Sequence, residues 1–151
     1  MLEAISIIVT DASYLREAKA MKWTIEYLEK DGIVSAKVSG PMDWEGHSKF
    51  AGEMFSFARK HDSHRIFIDF LEMVPVLSVL QVDDLPKVLK EAGAGSKYKI
   101  AALHDMSSPR SSDFVFFKNA AALMSIQVQI FSDKEAAIAW LKTDTPAKES
   151  K

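Results

Sequence analysis

Few side chains in this sequence are of a type and spacing that could do chemistry. His104 and Asp105 are adjacent, and Ser107, Ser108 and Ser78 could approach them from neighbouring loops, the makings of a nucleophile, a base and an orienting carboxylate. Such a set would make a small hydrolase using His104. It comes without the GxSxG sequence that aims a serine at the top of a sheet, and an imidazole ending a strand commonly just hydrogen-bonds at the sheet edge. His61 and His64 invite a metal, but no third ligand follows at a recognisable spacing, so they read as solvated residues or the cationic end of a helix. The glycines of Ala92-Gly93-Ala94-Gly95 follow a helix and precede a strand, the reverse of a phosphate-binding loop. With no cysteine, thiolate sites and disulfides are excluded. Nothing calls for a cofactor or a metal.

The stronger clue is apolar. RIFIDFL (65–71) has the β-branched and aromatic weight of a central strand covered on both faces. Asp69 interrupts it near its carboxyl end, where open α/β sheets bind ligands and partners. The connection that follows, EMVPVLSVL (72–80), carries Met73, Val74, Pro75, Val76, Leu77, Val79 and Leu80, too many hydrophobes for a free surface loop. Burying even four of them is worth roughly 6 to 12 kcal/mol. The cover would be the domain's own last helices, a protein partner or an apolar ligand, with Met54, Met73 and Met124 as adaptable lining.

The elements that must position these residues follow in order. Residues 23–28 and 33–38 alternate around Lys30-Asp31-Gly32 and form a β-hairpin, which Gly40-Pro41 should end. Asp43 can cap a helix to about Lys60, with His47, Phe50, Ala51, Met54, Phe57 and Ala58 on its packing stripe. After the central strand, Asp83 or Asp84 can cap a short helix carrying Leu85, Val88 and Leu89. YKIAALH (98–104) is a buried strand. A helix starting at Pro109 or Ser112 then carries Phe114, Val115, Phe116 and Phe117, so that one face can lie in the core and another at an interface or ligand cavity. IQVQIF (126–131) alternates as a strand, and Ser132-Asp133-Lys134-Glu135 is a capping box for a helix to Leu141.

The chain has 151 residues, one domain's worth, with nineteen basic and twenty-one acidic residues and no basic stripe. Nucleic-acid binding through phosphate neutralisation is therefore not expected. The early apolar run 4–9 is too short to span a bilayer and lacks a basic n-region, so no transmembrane segment or signal peptide is read there and a cytoplasmic setting is expected. Three parts are expected: an arm over 1–20, a domain over 21–142 and a polar tail over 143–151. Leu2, Ile5 and Ile8 of the arm, with a short helix over 14–21 behind them, could pack on their own domain or cross to a partner subunit as a homodimer.

The succession from Trp23 to Leu141, with an aspartate ending the third strand and the terminal VQIFSDKEAAIAWL, resembles the SpoIIAA-like branch of the STAS superfamily, the relatives of bacterial anti-sigma factor antagonists. The resemblance implies an α/β fold: a mostly parallel sheet of about four to five strands with an N-terminal hairpin, flanked by about four helices. It also implies a non-catalytic regulatory or binding role, and an architecture shared with lipid-carrying CRAL-TRIO domains. The family's Asp-Ser-Ser-Gly-like phosphorylation motif, at the start of the helix after the third strand, is replaced by Val76-Leu77-Ser78-Val79-Leu80. Ser78 there reads as a packed serine, and a phosphate on it would disrupt an apolar loop.

The leading expectation is a module binding an unidentified protein partner through Asp69, Met73, Val74, Val76, Leu77, Ser78 and Leu80. The alternative is a carrier of a small apolar ligand, such as a fatty acid or isoprenoid, held between that segment and Phe114 to Phe117.

Overall fold

The computed structural model describes residues 20–143. The expected hairpin is β1 (Lys22–Leu28) paired antiparallel with β2 (Ile33–Met42), turned at Gly32, whose φ of +66° lies in the left-handed region that glycine enters freely. After it come α1 (Trp44–Lys60), β3 (Arg65–Pro75), α2 (Val79–Ala92), β4 (Lys99–Leu103), α3 (Ser111–Leu123), β5 (Gln127–Phe131) and α4 (Lys134–Leu141). The strands form one five-stranded sheet in the order β1-β2-β3-β4-β5, parallel from β2 onward.

Because strand order follows chain order without reversal, crossovers of a single hand place α1, α2 and α3 on the same face. The larger core lies there: Val34, Ile66, Ile68, Ile100 and Val128 of the sheet meet Phe50, Met54 and Phe55 of α1, Leu85 and Leu89 of α2, and Phe114 and Ala121 of α3. On the opposite face α4 packs Ala137 and Leu141 on Ile33, Phe67, Ala101 and Leu103. The central strand is as buried as its composition implies, with Ile66, Phe67 and Ile68 all inside.

Three boundaries and one helix cap differ from the sequence reading, and each has a local cause. First, Gly40-Pro41 does not end β2. The pairing with β1 stops at Lys22↔Ser39, so residues 40–42 form an edge, where a proline without an N–H forfeits no ladder bond. A Cβ on Gly40 would come within 2.8 Å of the Ala20 carbonyl oxygen, so the chain enters the sheet at a point only glycine allows.

Second, β3 runs on to Pro75, pairing Met73 with Gly40, Val74 with Pro41 and Pro75 with Met42. Much of the expected loop is therefore strand. A bulge sits where the register moves from Lys37↔Asp69 to Ser39↔Glu72, with Phe70 and Leu71 opposite Val38.

Third, α2 begins at Val79, ahead of Asp83 and Asp84, because Ser78 supplies its cap. At α4 the cap is likewise Asp133, not Ser132: the Asp133 carboxylate accepts the Ala136 N–H at 3.0 Å. Residues Leu2, Ile5 and Ile8 of the expected arm, nearly all of the helix expected over 14–21, and the tail past residue 143 lie outside the described residues. Among the described residues no helix is long and apolar enough to cross a membrane.

Candidate functional site: an apolar cavity and its exposed rim

Beyond its bulge, β3 carries side chains to alternate faces with period two. Met73 turns inward and is buried, while Val74 turns outward. Pro75 ends the strand, Val76 stays exposed, Leu77 tucks back under α2, and Ser78 starts that helix. The Ser78 hydroxyl accepts the Gln81 N–H at 3.2 Å, and the Gln81 side-chain oxygen accepts the Ser78 N–H at 2.9 Å, a reciprocal capping box. Ser78 is thus an exposed N-cap and not the packed serine of the sequence reading. The Ser-x-x-Gln spacing was the signal that could have found it.

Arg110, at the start of α3, ties this segment down. Its guanidinium donates to the carbonyls of Leu77 at 2.9 Å and Pro75 at 3.3 Å, and its Nε donates to the Asp113 carboxylate at 2.7 Å. α3 is thereby held beside the end of β3, and Phe114 and Phe117 face Met73 and Leu77 across a cavity of about 50 Å³. The walls are almost wholly apolar. His47, in the first turns of α1, also lines the cavity; both of its ring nitrogens are buried and without a hydrogen-bond partner. Burial pushes its imidazole down to about 4, so the ring is neutral at neutral pH.

Of the residues singled out from sequence, Met73, Leu77, Phe114 and Phe117 come together around this cavity. Val74, Val76 and Leu80 do not line it. With Leu71 and Val79 they form an outer rim in which every side chain is at least half exposed, Leu80 by 80%. Asp69 stands apart from both, its carboxylate accepting the Leu71 N–H at 2.9 Å and so supporting the bulge. The residues that sequence reasoning missed as site residues are His47 and Arg110. His47 stood on a helical packing stripe, where its lack of a partner has no sequence signature. Arg110 acts on carbonyls more than thirty residues away.

The hydrolase set does not assemble as the sequence suggested. His104 Nε2 lies 3.2 Å from Ser111 Oγ, and its ring stacks on Phe114 with centroids 3.8 Å apart. The Ser111 hydroxyl also lies 3.1 Å from the Asp105 carbonyl, which competes with the imidazole for its single proton. Desolvation lowers the His104 imidazole, against a smaller opposing pull from Asp105. The Asp105 carboxylate accepts the Ser107 N–H and hydroxyl, which, with a small pull from His104, hold it below the ordinary carboxylate range. Ser108 accepts the Arg110 N–H, and Ser78 caps α2. The other histidines make ring contacts, His61 with Tyr27 and Phe57, and His64 with Tyr98.

No family model and no curated protein matches the chain. Solved structures do. An anti-sigma factor antagonist from Mycobacterium paratuberculosis superposes with a TM-score of 0.56 at 12% identity, covering 83% of this chain and 97% of that one. An uncharacterised protein with a SpoIIAA-like fold from Shewanella loihica gives 0.52 at 20% identity, covering 81% of this chain and 93% of the other. The chain therefore has a SpoIIAA-like fold, as the sequence resemblance implied.

Proposed function

We propose that this protein is a non-catalytic regulatory module that works by holding a protein partner against the rim formed by Leu71, Val74, Val76, Val79 and Leu80. The observation that carries the reading is the exposure of these five apolar side chains at one end of the sheet, around the end of β3 and the first turn of α2. Soluble domains seldom leave such a cluster in water, and contiguous apolar patches mark interaction sites. Its backing is stiff: the capping box and the Arg110 bonds fix the backbone from Pro75 to Gln81, so little ordering entropy is lost when a partner docks. The serines that the sequence placed near His104 are engaged elsewhere, Ser107 with the Asp105 carboxylate, Ser108 with the Arg110 N–H and Ser78 as the cap of α2, which favours the same reading. One of the two compared structures is named for antagonising an anti-sigma factor, a protein target, which is the partner class we assign here.

The test is a photo-crosslinking residue placed at Leu80 and, as a control, at exposed Glu135 on the opposite face of the sheet. A discrete protein adduct from position 80 and none from 135 is the expected result. Identical adducts from both positions, or no protein adduct from position 80, would sink the proposal.

A further inference from the structure

His47 sets a problem that packing does not solve. Buried polar groups in folded proteins nearly always find a hydrogen-bond partner, and a side chain that finds none calls for a specific explanation. Here both ring nitrogens go unpartnered in a ring that lines a cavity. A neutral imidazole has one N–H to give and one lone pair to receive with, so whichever nitrogen a cavity ligand reaches can serve as its hydrogen-bond partner. The other polar side chains in the wall, Arg110 and Asp113, are bonded to each other, and Arg110 also to two carbonyls. Met42, Phe70, Met73, Leu77 and Phe114 supply apolar surface around it.

We propose that this cavity is a binding site for a small uncharged molecule, mostly apolar and carrying one hydroxyl or carbonyl group, which His47 hydrogen-bonds. A binding pocket of this type combines apolar walls with a few placed polar groups. Charge is selected against from two sides. A carboxylate would be desolvated beside a guanidinium already engaged by Asp113, and an ammonium would find no free carboxylate.

Size narrows the class further. At about 50 Å³ the space is several times the roughly 10 to 15 Å³ of cavity that one water needs, room for a molecule of a few heavy atoms and not for a fatty-acid or isoprenoid chain. A short alcohol or ketone fits once the flexible Met42 and Met73 side chains give slightly. The inference does not depend on the protein-docking reading, because cavity and rim use different residues.

The test uses the full chain labelled at its methionine methyls and titrated with butan-1-ol, with butyrate as the charged molecule of the same length. Saturable shifts confined to Met42 and Met73, absent with butyrate and weakened at least tenfold by His47→Phe, are expected. Ala102→Val fills the cavity from β4 and leaves His47 in place, so it should abolish saturation even if His47→Phe fails to give a native spectrum. Shifts that rise linearly without saturating, equal binding by the His47→Phe chain, equal binding of butyrate, or undiminished binding by Ala102→Val would each overturn the proposal.

Discussion

His47 and Ser78 show how the same residue types acquire different physics from their places. The imidazole of His47 is lowered from its ordinary 6.5 to about 4 because burial penalises its charged form. The unfolded chain therefore takes up a proton near pH 6.5 that the folded chain refuses until about pH 4, and stability falls as pH falls between those values. The full loss is about 3 kcal/mol, present by pH 4 and absent above pH 7. Urea unfolding of wild type and His47→Phe across that range should show a pH slope in the first that is reduced in the second; equal slopes would contradict the assignment. Ser78 is exposed, and its contribution is the N-cap. Ser78→Ala should destabilise by about 1 kcal/mol in thermal or urea unfolding, whereas Ser78→Asp, which can also cap, should stay close to wild type. A phosphate there would meet the positive end of the α2 dipole. The sequence reading set Ser78 within an apolar loop, whereas the structure sets it at the exposed start of α2.

At the scale of elements, most of the fold was legible because the deciding signals are local. The hairpin, the amphipathic stripe of α1, the unbroken apolar run at the head of β3 and the alternation of β5 all announce themselves by period and turn chemistry. Apart from the cap of α4, the misreadings fall between residues 40 and 84. There Pro41 is tolerated only because β1 has already ended, and β3 is prolonged only because residues 40–42 pair with it. Neither condition is written in the local sequence. That prolongation sorts the apolar segment into two sets, and the sets should respond differently to substitution. Met73→Ala and Leu77→Ala remove buried side chains and should each lower stability by about 2 to 5 kcal/mol. Val76→Ser and Leu80→Ser should each stay within about 0.5 kcal/mol of wild type. Urea midpoints decide this, and comparable losses in the two sets would mean that the rim is covered by the chain itself.

For the whole molecule, the topology explains where binding surfaces arise. Crossover helices of one hand cover one face of the sheet, while α4 covers part of the other. The carboxyl ends of the parallel strands, the turn into α2 and the start of α3 converge at one end, and there the chain leaves most of its exposed large apolar side chains. The fold was therefore legible as a whole from the order of elements. The site was legible only as a region, since which residues face the cavity and which face solvent depends on the bulge at Val38 and on Arg110.

Docking of a protein on the rim can be measured by titrating the purified partner identified by crosslinking with wild type and with the Val76→Ser, Val79→Ser, Leu80→Ser triple variant, each first shown to have the same unfolding midpoint. Affinity at least tenfold weaker for the triple variant is the expected result. Equal affinity for the two proteins would mean that the rim is not where the partner binds.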